Sequence, residues 1–166
     1  MNTQEGLIAL STSKLPAVEA KQTRISFRIH ADLPAFVLPT GVSSQLALEP
    51  ALAPVPNVKP WLRGVLNLRG NLVPVFDIGM WRGTEALPAN AKVLVIAPGA
   101  DAVGVLCSDS PSLLRVEVGE AVDASDPLAT FSTTRFRCDA GYAYEFDARA
   151  WLKQVARQVP RHIDVS

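Results

Sequence analysis

The chain has 166 residues, with 16 Lys and Arg against 16 Asp and Glu and a formal net charge of zero, which leaves no electrostatic excess for gripping a nucleic-acid backbone or an anionic bilayer. Hydrophobic residues make up 48% and charged residues 19%, so a sizeable core is possible and the disordered class is excluded. No apolar run reaches the ~18 residues of a membrane span. The run at residues 6–10 follows Glu5 rather than a base, which is not a signal-peptide pattern, so a cytoplasmic protein without direct membrane insertion is expected.

Residues 1–22 are aperiodic and read as a flexible arm. Ile25, Phe27 and Ile29 then alternate with Arg24, Ser26, Arg28 and His30, predicting a strand with its apolar face inward and its polar face in water. Residues 31–34 turn the chain into the apolar run 35–38, completing a hairpin. Pro50, Pro54, Pro56 and Pro60 make the next stretch an extended connection, because fixed φ and missing N–H groups exclude a long helix or central strand.

The apolar runs 64–68 and 72–76 flank Arg69-Gly70-Asn71, which reads as strand, tight turn, strand. Pro74 cannot donate to a ladder and places the second strand at an edge or beside a bulge. Residues 92–97 and 102–107 form another hairpin about Pro98-Gly99-Ala100-Asp101, and 113–118, 131–138 and 142–146 alternate as further strands. Near the end, Trp151, Val155 and Val159 recur at i, i+4 and i+8, with Asp147 as cap and Pro160 as stop, predicting one C-terminal helix. Short strands with Gly and Pro turns at this spacing define a mainly β chain of small barrels or sandwiches. The folded domain is expected over 23–158, followed by a tail at 159–166.

Residues that carry catalysis are sparse. His30 ends a strand and His162 lies beyond Pro160; both read as solvated groups rather than positioned bases. Cys107 and Cys138 stand too far apart, without a paired histidine motif, to build a zinc site, and read as small buried hydrophobes. The pairs Asp101/Asp109 and Asp123/Asp126 lack calcium-loop spacing. Neither phosphate-loop pattern nor a nucleophile elbow occurs. No catalytic residue, metal or cofactor is expected. What remains is an arginine, Arg69, projected from a tight turn between two apolar strands, a planar five-donor group suited to binding a partner.

The run Gly64-Val-Leu-Asn-Leu-Arg-Gly70 followed by Pro74-Val-Phe-Asp-Ile78 resembles the signature of the CheW-like domain family, the scaffolding module of bacterial chemosensory arrays. The resemblance extends over residues 22–158, through the first hairpin, the approach at 56–62, the paired strands at 92–106 and the terminal strand and helix. It implies two interleaved SH3-like β-barrels sharing a hydrophobic groove, a C-terminal helix and no reaction. It further implies coupling of a chemoreceptor's cytoplasmic hairpin to a CheA-type histidine kinase, with weak ring-like contacts to copies or paralogues. Arg69 would then lie at the partner surface, Asn67 and Gly70 would shape the turn, and Val65, Leu66, Val73 and Val75 would be core or groove residues. Family members often place a glutamate where ungapped counting back from Asn67 puts Gln45, which can accept a hydrogen bond from Arg69 but brings no charge. The Trp61-Leu62-Arg63 approach is similar to the adaptors of type IV pilus chemosensory systems, which implies a link to twitching motility.

Two other readings fit the residues. One is a small-molecule-binding or thiol-dependent barrel using Cys107, against which the neighbouring Asp109 weighs. The other is an array-filling subunit that binds neighbours but no kinase.

Overall fold

A computed structural model describes residues 21–97, 99 and 101–158. The expected arm, apart from Lys21 and Gln22, and the expected tail with His162 and Pro160 lie outside them, as do Val159, Pro98 and Ala100. The strands are β1 (Gln22–Phe27), β2 (Phe36–Val37), β3 (Ser44–Ala47), β4 (Leu62–Leu68), β5 (Asn71–Phe76), β6 (Lys92–Ile96), β7 (Val103–Cys107), β8 (Ser112–Val116), β9 (Gly119–Ala121), β10 (Thr134–Cys138) and β11 (Gly141–Glu145). Two helices join them, α1 (Ile78–Trp81) and α2 (Ala148–Gln158).

These strands form two sheets in the orders β8-β1-β2-β11-β10-β9 and β3-β6-β7-β5-β4. Each sheet joins its own ends. In the first, β8 at one end runs straight on into β9 at the other, and Glu117 N–H donates to the Arg137 carbonyl at 2.9 Å across the join. In the second, Ala53 beyond β3 exchanges two 2.9 Å hydrogen bonds with Val65 of β4. The second barrel is inserted in the chain between β2 and β8 of the first, so the two are interleaved.

Alternation along β6 and β7 explains how the barrels are held together. Val93, Val95 and Leu106 point into the second barrel with Leu66, Val73 and Val75. Leu94, Ile96, Val103, Val105 and Cys107, on the opposite faces, join Phe27, Phe36, Phe76, Phe131, Tyr144 and Phe146 in a core between the barrels. The seam is therefore apolar, and the protein's own side chains fill it. Trp151 of α2, wholly buried, stands edge-on to Phe76 with ring centroids 4.8 Å apart. Asp147 caps this helix, its Oδ1 accepting from Ala150 N–H at 2.9 Å.

The polar face of β1 is not in water. Arg24 and Ser26 are each 7% exposed, whereas Ile25 between them is 38% exposed. Ser26 is paired with Val37, which lies in the first barrel's interior with Val116, Phe136 and Ala143. The polar residues of β1 therefore line that interior. Arg24 Nη2 donates to the Leu38 carbonyl at 2.6 Å and to Glu145 Oε2 at 2.7 Å, and its guanidinium lies 4.8 Å from the Phe136 ring centroid. The Ser26 hydroxyl bonds to the Ser112 carbonyl. Burial is tolerated because the charge is paired and hydrogen-bonded. His30 is also less solvated than expected, with a side chain 19% exposed and Nδ1 accepting from Asp32 N–H.

Pro74 does not sit on an edge strand, since β5 lies between β7 and β4. Its missing N–H is harmless because the parallel ladder to β7 begins only at Val75. A register shift between Leu62 and Gly64 on the facing strand marks a bulge nearby. At Gly64, φ is 146°, and a Cβ there would lie 2.7 Å from the Ala53 carbonyl oxygen that closes the barrel. Only a residue without a side chain lets that bridge form.

Just beyond β5, the wholly buried Asp77 caps α1 through Met80 N–H and binds Arg63 Nη1 at 3.1 Å and Leu87 N–H at 2.9 Å. Arg63 also donates to the Leu87 carbonyl. This clamp fixes the 82–91 loop so that Leu87 packs against the second barrel's core.

Replacing Trp151 with Ala should lower the unfolding free energy by about 3–5 kcal/mol, the range for emptying a large aromatic site. Urea unfolding followed by circular dichroism measures this, and a loss below about 1 kcal/mol would show that α2 does not anchor the inter-barrel core.

Candidate partner interface

Leu68 faces Asn71 across the β4–β5 hairpin, leaving Arg69 and Gly70 as a two-residue loop. Their φ values are 52° and 87°. Positive φ at both central positions is the type I′ pattern, whose twist matches that of the flanking strands. Gly70 takes this conformation freely, whereas an L-residue such as Arg69 is strained by roughly 1 kcal/mol. Asn67 Oδ1 accepts from Gly70 N–H at 3.0 Å and holds the loop. Arg69 is exposed at the tip and makes no ion pair among the described residues.

Strand alternation sorts the other expected site residues. Val73 and Val75 are wholly buried inside the second barrel, beside Leu66. No partner can touch these two valines in this conformation, so they support the hairpin from below and are not contact residues. The outward face pairs Val65 with Pro74 and Asn67 with Leu72. Val65 and Pro74 are half-buried, and Leu72 is 74% exposed. Leu72, Pro74 and Phe76 occupy alternate positions on one strand, so this face runs continuously from the inter-barrel core out to the arginine turn.

Gln45 does not join this surface. It pairs with Val95, whose side chain lies inside the second barrel, and directly paired residues share a face. No hydrogen bond links Gln45 to Arg69 among those of the described residues. Ungapped counting fails because bends and prolines separate β3 from β4. Leu72 is the contact candidate that sequence reading missed. Residues 72–76 are apolar throughout, which conceals which face is inside; the signal was that Val73 and Val75, if inward, force Leu72 and Pro74 outward.

Thiol chemistry finds no support in this geometry. Cys107 is 2% exposed in the inter-barrel core, and burial pushes its thiol up to about 12 from a model-compound value of 9.0, which suppresses the nucleophilic thiolate at neutral pH. Among the described residues, no group of three or more His, Cys, Asp or Glu side chains is placed to hold a metal ion. No helix among them is long and apolar enough to cross a membrane.

Two small barrels thus share an apolar core, and the second carries an exposed arginine on a type I′ hairpin. The CheW-like domain description matches residues 25–132, well over half of the chain, and the chain belongs to that family. CheW-like domains are scaffolding and coupling proteins without enzymatic activity, and as a class they bind CheA and chemoreceptors. The crystal structure of the scaffolding protein TtCheW from Thermoanaerobacter tengcongensis shares the fold, with a TM-score of 0.59 at 15% identity over 75% of this chain and 88% of that one. Protein PilI of Pseudomonas aeruginosa strain PAO1 is 40% identical over 63 residues, 37% of this chain. The matched segment spans about a third of that relative's length, 35%.

Because Arg69 occupies a left-handed position, Arg69→Gly should raise stability by about 0.5–1 kcal/mol; thermal and urea unfolding of the two proteins test this, and an unchanged or lower midpoint would contradict the strain. Cys107 sets a second expectation. Its folded pKa lies above the unfolded one, so its contribution to stability is complete below about 9 and is lost as pH rises toward about 12. Unfolding free energies measured from pH 8 upward should fall less steeply in Cys107→Ala than in the natural protein, and parallel curves would refute the buried-thiol account.

Proposed function

We propose that this protein is the coupling subunit of a chemosensory array in the cytoplasm, joining the cytoplasmic helical hairpin of a chemoreceptor to a CheA-type histidine kinase. The carrying observation is the β4–β5 hairpin, which places an exposed arginine, on a strained turn backbone, beside a continuous apolar face. Apolar residues of a partner helix would pack along Val65, Leu72 and Pro74, while Arg69 at the rim would bind a carboxylate or helix-end carbonyl. Asn67 and Gly70 hold the turn, and Val73 and Val75 keep the platform rigid from within.

The local likeness to Protein PilI supports placing the array in a type IV pilus system, with twitching motility as its output. Contacts of modest area suit such an array, because many weak sites in a lattice assemble through avidity. Weak contacts to further copies or paralogues belong to the same reading.

Arg69→Ala should keep the circular dichroism spectrum and weaken binding to the receptor hairpin or to the kinase regulatory domain about thirtyfold, a hot-spot effect. Titration calorimetry with each purified partner measures it. Unchanged affinity for both would remove Arg69 from the interface, and a natural protein that binds neighbouring copies but no kinase would establish the array-filling role instead.

A further inference from the structure

The outer side of α2 carries Arg149, Lys153 and Arg157, four residues apart and all exposed. At 100° per residue these three span about 80° of the helix surface, and the middle of that arc lies about 180° from the midpoint of Trp151 and Val155. The helix thus divides cleanly: two buried anchors face the inter-barrel core, and a basic strip about 12 Å long faces solvent. The sequence of α2, ARAWLKQVARQ, contains no carboxylate. Asp147 at its start is engaged as the cap, and none of the three cations is in an ion pair among the described residues.

Like charges at i, i+4 destabilise a helix. In a protein with a net charge of zero, three of them in register, without one interleaved acid, are a local conflict of the kind that marks a binding surface. We propose that this strip is a second docking surface, and that its occupant is an acidic α-helix of a partner protein with Asp or Glu at four-residue spacing along one face. Such carboxylates repeat every ~6 Å along the helix axis, as the cations of α2 do, so two helices lying side by side bring three pairs together.

Other anionic surfaces fit less well. A helix that binds bilayers inserts its apolar side, and here Trp151 and Val155 are already committed to the core. Nucleic acid is served by a wider basic field than one helix face on a neutral protein.

Position gives the strip its value. Trp151 packs on Phe76 at the last residue of β5, whereas the Arg69 turn precedes its first residue, and a six-residue strand is about 20 Å long. The basic strip and the arginine hairpin thus occupy opposite ends of one strand and can be filled together, which a coupling protein requires.

The test uses the full chain and a stapled helical peptide with Glu at i, i+4 and i+8, against the same peptide with Gln, by fluorescence anisotropy at low and at physiological salt. The Glu peptide should bind, weaken with salt, and weaken about tenfold or more in R149E/K153E/R157E. The control R115E/R137E/K59E changes net charge equally and should bind as the natural protein does. Rescue of K153E by a peptide with Lys at the facing position would establish the register. Equal loss in the control would show a diffuse field and overturn the site. Preference for phosphatidylserine vesicles or an oligonucleotide over the peptide would overturn the acidic-helix occupant, as would a strip variant that lost only self-association in sedimentation. Arg69→Ala should leave peptide binding unchanged, so failure of the hairpin reading and failure of this one are separable.

Discussion

Strands β6 and β7 have no solvent face. Val93 and Val95 face one way into the second barrel, Leu94 and Ile96 the other way into the core between the barrels, and Val105 and Leu106 repeat the division on β7. A strand buried on both sides cannot slip by one residue without exchanging two packed cores, so its register is doubly specified. Everything else is built outward from this pair. Strand β5 is hydrogen-bonded to β7, β4 to β5, and the seam in front of β7 receives the aromatic side chains of the first barrel and Trp151 from α2.

That rigidity supports the short β4–β5 hairpin in a strained conformation. Arg69 is held in a conformation that free peptides avoid, and the restraint comes from the packed valines beneath it, the Asn67 bond to the turn and the bridge at Gly64. The restraint acts on the backbone and sets where the exposed Arg69 side chain leaves the turn. At the other end of β5, Asp77 and Arg63 capture both backbone groups of Leu87 and fix the connection to β6. Buried polar groups in this protein therefore position chain segments.

The first barrel shows what a polar residue on a strand can conceal. Alternation in β1 correctly separates its two faces, but it is the polar face that lines the barrel interior, while Ile25 on the other is 38% exposed. Arg24 is accommodated inside because Glu145 and the Leu38 carbonyl meet it there. One strand's pattern contains no information about which side a distant strand will supply with a carboxylate.

Most of the strands, the tight turn at Arg69 and Gly70, and the C-terminal helix with its Asp147 cap were legible in the residues, because they depend on local periodicity and turn chemistry; the short strands β3 and β9, which have no such pattern, were not. The motif from Gly64 to Ile78 carried the family. Tertiary structure alone decided that Arg24 and Ser26 face inward, that Val73 and Val75 are support while Leu72 is surface, and that Gln45 points into a barrel away from Arg69. It also decided that α2 fills the seam and turns its three cations outward. These outcomes depend on barrel closure and on packing between segments far apart in the chain. In a sequence with apolar residues on both faces of a strand, no local rule says which face meets the core and which meets a partner.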